Sequence, residues 1–459
     1  MCEFRLENDS IGSKEVPIDA YYGVQTLRAY ENFRISGTKV HSEFIRAIIE
    51  IKKASAITNG EVNIIDKKIV EAMVQACEEI LSGKFLDNFL VDAIQGGAGT
   101  SLNMNANEVV ANRAIEILGG NKGDYAIVHP NDHVNCGQST NDVFPSAGKI
   151  ATIRLLDKAI VALSDFYTAL QRKAKEFKSV IKMGRTEMQD AVPISFGQSF
   201  SAYASAIKRD IIRFKKAKKE LSKINMGGTA IGTGINADKD YIKKIVPNLV
   251  KITGLDLSQA DDLIDATQNL DGFVYVSGIV KSCATTLSKI ANDLRLMSSG
   301  PRTGFSEINL PPKQNGSSIM PGKINPVIPE VINQIAFNVI GNDTTITLAV
   351  EGGQLELNAF EPIIFHCLFE SLETLTNGVK VFKKDCIDGI TVNVDNCEDE
   401  VERSIGIITA LCPYIGYTKA SKIAKKALKE KKNVREILIS ENIASVEELD
   451  KILNPKNMI

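Results

Sequence analysis

The stretch "LDGFVYVSGIVKSCATTLSKIANDL", Leu270 to Leu294, carries a residue of the helix-core type at every third or fourth position. Large and small side chains alternate along it, at Leu270, Phe273, Ser277, Val280, Ala284, Leu287, Ala291 and Leu294. This spacing predicts a helix face that packs closely against other helices at a shallow angle. We expect one helix over residues 266–298, roughly 50 Å long at about 1.5 Å per residue. Helices of that length need partners on more than one side, which favours an oligomeric bundle.

The same rhythm occurs earlier in the chain, at Ile153, Leu156, Ile160, Leu163, Tyr167 and Leu170. Aromatic residues make up 6% of the 459 residues and tryptophan is absent, which suits aliphatic packing between helices better than a β-sandwich. We therefore predict a mainly α protein of three domains. They are a mixed helical domain over residues 1–141, a bundle of long helices over 142–390, and a small helical domain over 391–459. In the last domain we expect a helix at 419–430.

Composition excludes several classes of partner. The formal net charge is −2, so nothing predicts a nucleic acid or an anionic membrane surface as a partner. The eight cysteines are scattered without a CxxC pair, the N-terminal residues show no apolar signal segment, and the longest uncharged runs are laced with polar residues. We expect a reduced, cytoplasmic protein that neither binds nor crosses a membrane.

Four polar clusters lie at the edges of the helical patterns and have no obvious structural role. They are "QGGAGTSLNMNANE" (Gln95 to Glu108), "HPNDHVNCGQSTNDVFP" (His129 to Pro145), "GRTEMQDAVP" (Gly184 to Pro193) and "GSSIMPGKINPV" (Gly316 to Val327). Residues such as Ser139 to Asp142 are ordinary helix N-caps, and that reading suffices for any single cluster. A helix start can also bind an anion. Hydroxyls, amides and one lysine together would suit a small dicarboxylate.

Other chemistries have weaker support in the sequence. The glycines of "GGTAIGTG" (Gly227 to Gly234) follow a stretch that reads as a helix, whereas a dinucleotide site requires a buried strand there. The four histidines do not form a zinc pattern, and a Ser–His–Asp hydrolase would lack its GxSxG turn. Chemistry without a metal or a cofactor is the leading enzyme class.

The four clusters, in this order and at these separations, resemble the fumarase/aspartase superfamily, whose signature is similar to "GSSIMPGKINP". The resemblance covers nearly the whole chain. Within the superfamily the sequence most resembles the aspartases, in the stretches "GGAGTSLNMNANEV", "CGQSTNDVFP", "GRTEMQDAVP" and "GQLELNAFEP". The resemblance implies a homotetramer around a core of long helices, with each active site shared by three subunits. It also implies cofactor-free, reversible deamination of L-aspartate to fumarate and ammonia through an enediolate.

The resemblance assigns roles to ten residues. Ser317 matches the general base, and Lys323 and Asn325 match the positions that hold the α-carboxylate. Thr100, Ser139, Thr140 and Ser318 match the donors around the β-carboxylate. Asn141 and Thr186 match positions near the amine, and Glu187 departs from the usual pattern. A carboxylate at Glu187 would suit a substrate that carries an ammonium group.

Two alternatives remain open. A class II fumarate hydratase has the same fold, but such enzymes usually carry a histidine at the position of Glu187 and typically lack an acid at the position of Glu361. A non-catalytic structural protein descended from the superfamily would not need the intact set of Ser139, Thr140, Ser317, Lys323 and Asn325.

Overall fold

The structure is a computed structural model that describes residues 3–458. The prediction of a mainly α protein is confirmed. The helices are α1 Val24–Asn32, α2 Ser42–Glu61, α3 Lys67–Leu81, α4 Thr100–Ile117, α5 Thr140–Glu176, α6 Phe196–Glu220, α7 Lys239–Thr253, α8 Leu263–Gln268, α9 Asp271–Met297, α10 Val327–Glu351, α11 Glu361–Asp385, α12 Val394–Arg403, α13 Cys412–Ile415, α14 Tyr417–Glu430, α15 Val434–Ser440 and α16 Val446–Ile452.

Strands are short and occur in pairs. They are β1 Phe4–Asp9, β2 Gly12–Pro17, β3 Ile181–Thr186, β4 Gln189–Ser195, β5 Lys223–Ile224, β6 Ser258–Gln259, β7 Ile308–Asn309 and β8 Thr391–Val392. The antiparallel pairs are β1 with β2, β3 with β4 and β7 with β8, and β5 pairs with β6 in parallel. No helix within residues 3–458 combines the length and the apolar character needed to span a membrane.

Helix α9 confirms the predicted packing face, because the seven pattern residues within it are buried, as is Leu270 just before it. The predicted start at residue 266 is wrong. Residues 263–268 form the separate helix α8, and Asn269 follows it in an extended conformation, with φ −99° and ψ 130°. Asparagine is a poor residue for a helix interior, since its side chain competes for backbone hydrogen bonds. Helix α9 is therefore about 40 Å long at 1.5 Å per residue.

Helix α5 is the longest helix in the described residues, with 37 residues and a length of about 55 Å. Ile153, Leu156, Leu163 and Leu170 of its predicted face are buried, while the other two pattern residues are half-buried. Near its start the helix packs directly on α11, because a Cβ added at Gly148 would lie 2.0 Å from the Phe365 ring. Only glycine permits that approach.

The chain forms two compact units. The first comprises residues 1–160, 212–282 and 338–374, and the second comprises 161–211, 283–337 and 375–459. The first unit has an aromatic core in which Phe44 contacts Phe144, Phe365 and Phe369. The three-domain division of the chain stays a prediction.

The second unit includes the C-terminal helices. A cluster of buried aliphatic residues joins β3, α12 and the segment after it to α14, α15 and α16. The predicted helix at 419–430 is confirmed, since it lies within α14.

Helix α10 leaves an apolar face uncovered within the described chain. Phe337, Ile340 and Leu348 are 64%, 40% and 65% exposed, and with Thr344 they fall on one side of the helix at intervals of three and four residues. Exposed apolar rows of this kind mark protein–protein contact surfaces.

Candidate active site

The first polar cluster forms a tight turn into α4. Gly97, Ala98 and Gly99 all have positive φ, at 86°, 55° and 88°, and Thr100 is the first residue of the helix. A Cβ at Gly99 would lie 2.2 Å from the ring of Phe144 on α5, so this position requires glycine. Left-handed backbone at Ala98 is uncommon for a residue with a Cβ, and such strain is concentrated at functional segments.

The turn is braced from behind by Gln95, which is buried. Its side-chain amide donates to the carbonyl of Asp92 at 2.7 Å and its oxygen accepts the N–H of Leu102 at 3.0 Å. Thr100, in contrast, is exposed. The hydrogen bonds of Gln95 therefore hold the backbone of this helix start in place, and the hydroxyl of Thr100 is exposed there.

The second cluster leads into α5, and its capping interpretation is confirmed. Ser139 Oγ accepts the N–H of Asn141 at 3.2 Å, and Asp142 Oδ1 accepts the N–H of Ser139 at 2.9 Å. Ser139 thus caps the start of the helix, and Asp142 accepts the Ser139 N–H in return. Thr140 takes no part in these two bonds. Thr140 Oγ1 accepts a hydrogen bond from Asn103 Nδ2 at 3.0 Å.

The structure thus brings two of the predicted segments together. Asn103 lies in the first turn of α4, three residues after Thr100, and its bond to Thr140 joins the starts of α4 and α5. Asn141 is directed elsewhere, since its Nδ2 donates to the carbonyl of Ala230 at 2.7 Å. In the first unit, the Asn103–Thr140 bond therefore joins the helix start that carries Thr100 to the one that carries Ser139 and Thr140.

Asp142 anchors this cluster from the core. It is fully buried and accepts N–H groups from Gly227 at 3.1 Å and Thr229 at 3.0 Å, besides that of Ser139. The glycine-rich stretch thus serves as a turn around a carboxylate. The residues before it are helical only as far as Glu220, where α6 ends, and the two-residue strand β5 follows. Burial raises the pKa of Asp142 to about 6, and the three N–H groups oppose that rise.

Lys52 on α2 faces the same region and was missed by the sequence analysis. It is 1% exposed, and its Nζ donates to Asn135 Oδ1 and Gln138 Oε1, both at 2.9 Å. Burial lowers the pKa of Lys52 to about 7, while the Asp142 charge opposes that fall. The sequence contains a signal for its burial. Lys52 lies on a helix face whose residues are spaced three and four apart and are all buried, namely Ile45, Ile48, Lys52, Ser55 and Asn59. A lysine on such a face is almost never buried without a specific partner.

The third cluster is the β3–β4 hairpin of the second unit. Thr186 pairs with Gln189, so Glu187 and Met188 form a two-residue turn with φ of 52° and 66°. Turns of this type normally take asparagine and glycine, and a glutamate and a methionine there carry conformational strain. Thr186 and Glu187 are exposed at the tip.

The base of the hairpin is held by a buried ionic cluster. Glu307, which is fully buried, accepts from Lys182 Nζ at 2.8 Å and from Arg185 at 2.7 Å. Arg185 also donates to Glu400 at 2.8 Å, and these carboxylates raise the pKa of Arg185 against the effect of burial. The hairpin tip at Thr186 and Glu187 is thus exposed to solvent, while the ion pairs of Glu307 fix the base of the hairpin.

The fourth cluster is a loop that closes on itself. Gly316 N–H donates to the carbonyl of Lys323 at 2.7 Å, and Asn325 Nδ2 donates to the carbonyl of Gly316 at 2.7 Å. A Cβ at Gly316 would lie 2.5 Å from the Lys323 carbonyl, which explains the glycine. Ser317 Oγ accepts N–H groups from Ile319 at 3.2 Å and Met320 at 3.0 Å.

The loop is largely open to solvent. Ser318, Ile319, Met320 and Lys323 are exposed, and Ile319 reaches 83%. The side chains of Ser318 and Lys323 make no hydrogen bond to another part of the chain between residues 3 and 458. The loop therefore gathers Ser317, Ser318, Lys323 and Asn325, and Ser317 Oγ lies where two backbone N–H groups converge.

Glu361, which the sequence analysis used to distinguish fumarases, begins α11 in the core of the first unit. It is 1% exposed, and neither carboxylate oxygen accepts a hydrogen bond from any residue in the described part of the chain. Burial raises the pKa of Glu361 well above its ordinary value, and the nearby charge of Lys149 opposes this. Within residues 3–458, no group of three or more histidines, cysteines or acids is arranged to hold a metal ion.

Comparison with known proteins identifies the family. A family model described as lyase matches residues 12–341, and one described as fumarase C C-terminus matches residues 407–459. The chain belongs to this lyase family, within the fumarase/aspartase superfamily. An aspartate ammonia-lyase from Bacillus subtilis is 53% identical, with 99% of this chain and 96% of the relative covered.

Solved structures agree with this assignment. A fumarate lyase:delta crystallin from Brucella melitensis bound to cobalt is 46% identical and superposes with a TM-score of 0.97, covering 99% of both chains. A class II fumarase from Schistosoma mansoni is 35% identical, with a TM-score of 0.96 and the same coverage.

The unpartnered carboxyl of Glu361 predicts a pH-dependent stability. Its folded pKa lies above the unfolded value near 4.5, so the unfolded chain loses this proton first and stability falls as the pH rises above 4.5. Glu361→Gln removes the titration. We expect its melting temperature to exceed that of the parent protein by a margin that grows from pH 5 to pH 8. Glu356→Gln, at an exposed position in the same segment, is the matched control. A margin independent of pH would contradict the prediction.

Proposed function

We propose that this chain catalyses the reversible conversion of L-aspartate to fumarate and ammonia, as a carbon–nitrogen lyase that needs no cofactor. The observation that carries the proposal is the similarity to aspartate ammonia-lyases, which are 47–53% identical over 99% of the chain. The site supports it as well, since its clusters hold hydroxyls, amides and a lysine suited to a dicarboxylate.

The reaction requires removal of a weakly acidic proton from Cβ. Its bonding electrons move into the adjacent carboxylate, which becomes a doubly charged enediolate. The electrons then return to form the Cα–Cβ double bond, and the C–N bond breaks with its electron pair leaving on the amine. Fixed hydrogen-bond donors that meet the enediolate lower this barrier, because they stabilise charge that develops only in the transition state.

Ser317 is the general base. A serine alkoxide is a weak prospect in water, but Ser317 Oγ accepts two backbone N–H groups, from Ile319 and Met320. These donors favour the anion over the neutral hydroxyl. Closure of the exposed loop over the substrate would exclude water and strengthen them further.

The remaining residues divide between the two ends of the substrate. Thr100, Ser139, Thr140 and Ser318 donate to the β-carboxylate, where the enediolate forms. Lys323 and Asn325 hold the α-carboxylate and fix its orientation. Asn141, Thr186 and Glu187 lie near the amine, where the Glu187 carboxylate meets the ammonium charge. The resemblance of these positions to the family pattern supports the assignment.

The assembly is a homotetramer whose active sites each draw on three subunits. The exposed apolar face of α10, with Phe337, Ile340 and Leu348, supports this assembly, because burial against other subunits would remove it from water. A cytoplasmic location stays a prediction from composition.

A direct assay tests the activity. Purified protein is mixed with L-aspartate or with L-malate, and the ultraviolet absorbance of fumarate is followed. We expect fumarate from aspartate and little from malate. Conversion of malate alone would establish the alternative, a class II fumarate hydratase, and no reaction with either would reject both.

Ser317→Ala should lower kcat by about 10²- to 10⁴-fold, the usual contribution of a general base. Fumarate binding should change little, because Lys323 and Asn325 still hold the carboxylate. Steady-state kinetics with fumarate as the inhibitor measures both quantities. Near-normal turnover in this variant would remove Ser317 from the mechanism.

Glu187→Gln should raise KM for aspartate more than it raises the inhibition constant of fumarate. The two ligands share both carboxylates, but only aspartate carries the ammonium group that Glu187 would face. Fumarate is thus the internal control for damage to the hairpin. Equal effects on the two ligands would show that Glu187 is a solvent-exposed turn residue without contact to the substrate.

Subunit sharing predicts complementation. Ser139→Ala and Ser317→Ala proteins, each nearly inactive, are unfolded together in equal amounts and reassembled. If the two serines of a site come from different subunits, roughly one site in four receives both intact, so about a quarter of parental activity returns. Tetramers that reassemble yet remain inactive would place both serines of each site in one subunit.

A further inference from the structure

Lys52 is a buried lysine whose hydrogen bonds go to neutral groups. Its Nζ donates to the amide oxygens of Asn135 and Gln138, and no carboxylate oxygen within residues 3–458 lies within ion-pair distance of it. Removing an ammonium group from water costs several kcal/mol even after the protein relaxes. A fold that buries this lysine without a bonded counter-ion gains something from it other than stability.

The lysine fixes the direction of the hydrogen bonds around it. Lys52 Nζ donates one hydrogen to Asn135 and another to Gln138, so the oxygen of the Asn135 amide faces Lys52. The same oxygen also accepts from Asn103 Nδ2 at 3.2 Å and from Asn107 Nδ2 at 3.3 Å. Asn103 must therefore present its NH₂ group to Asn135, because an oxygen placed there would face another oxygen.

The chain of bonds ends at a hydroxyl of the proposed substrate site. The second hydrogen of Asn103 Nδ2 is donated to Thr140 Oγ1 at 3.0 Å. A threonine hydroxyl has one hydrogen to donate. Because the Thr140 oxygen accepts a hydrogen bond from Asn103, the Thr140 hydroxyl hydrogen does not point at Asn103. It is directed to another acceptor.

We infer that Lys52 is a positioning residue for substrate binding, which acts through Asn135 and Asn103 to keep the Thr140 hydroxyl in its donating orientation toward the β-carboxylate. The inference rests on the proposed function, which places Thr140 at that carboxylate. Lys52 itself does not touch the substrate.

The surrounding charges agree with this role. Asp142 is the carboxylate that opposes the fall in the pKa of Lys52, but its oxygens are occupied by the N–H groups of Ser139, Gly227 and Thr229. The lysine charge therefore polarises the amide chain in a region of low dielectric, where such chains strengthen one another. An anion at Thr140 benefits from both the orientation and the charge.

Lys52→Met tests the inference, with fumarate binding measured by calorimetry so that inactive variants remain informative. We expect the fumarate dissociation constant to rise roughly tenfold or more, as for the loss of a charge-assisted hydrogen bond. Lys53→Met is the matched control, because Lys53 is the next residue of the same helix and pairs instead with Glu78 at 2.8 Å. Its fumarate affinity should stay within about twofold of the parent protein.

A double-mutant cycle with Thr140→Val separates positioning from general damage. If Lys52 acts through the Thr140 hydroxyl, its loss should matter little once that hydroxyl is gone. Adding Lys52→Met to the Thr140→Val protein should then raise the fumarate dissociation constant by less than about twofold. If Lys52→Met raises the fumarate dissociation constant by the same factor in the parent protein and in Thr140→Val, the inference is overturned and the proposed function stays intact. Thr140→Val with parental affinity would instead refute the placement of Thr140, and the inference with it.

If the Lys52→Met protein does not fold, Asn103→Leu tests the same inference. Leucine fills a similar volume but cannot donate to Thr140, so fumarate affinity should fall to that of Thr140→Val. Adding Thr140→Val to Asn103→Leu should then have little further effect. Parental fumarate affinity in folded Asn103→Leu would overturn the inference.

Discussion

The cluster in the first unit depends on the buried carboxylate of Asp142. Three backbone N–H groups converge on it, and they come from the start of α5 and from the glycine-rich turn after β5. Because a buried carboxylate is costly unless it is hydrogen-bonded, this turn and the helix start are constrained to meet. The orientation of Ser139, Thr140 and Asn141 follows from that constraint.

The polar segments of the second unit are organised in a different way. The hairpin tip at Glu187 and the loop at Ser317 are exposed, but each has a fixed base, made by the Glu307 ion pairs in one case and by the Gly316–Lys323 hydrogen bond in the other. Such segments can adjust to a ligand at low cost, since few contacts must break. The polar cluster of the first unit is thus pre-formed, and the polar segments of the second unit are adaptable.

The helical fold could be predicted from the sequence because its periodicity is local. The spacing pattern on the face of α9 was sufficient to identify a buried stripe, and the start of α5 at Thr140 follows from ordinary capping residues. The break before α9 was missed because an apolar rhythm continues across Asn269, and only the backbone shows that this residue leaves the helix.

The site could be predicted only where its residues form motifs. The hydroxyls and amides of the four clusters stand out in the sequence, but Lys52 lies some 90 residues away from Thr140 and in no motif. Its role depends on the amides of Asn103 and Asn135, whose mutual orientation is a tertiary property. Similarly, nothing in the sequence near Glu361 indicates that its carboxyl lacks a partner.

The contact between Gly99 and Phe144 has a consequence for how the site can evolve. The ring occupies the space that any side chain at position 99 would need, so residue 99 cannot be enlarged alone without moving the ring or the start of α4. A descendant with a larger residue at 99 must first acquire a smaller one at 144, and the intermediate would contain a cavity. Libraries that vary these two positions jointly can therefore reach geometries of the Thr100 turn that stepwise substitution does not.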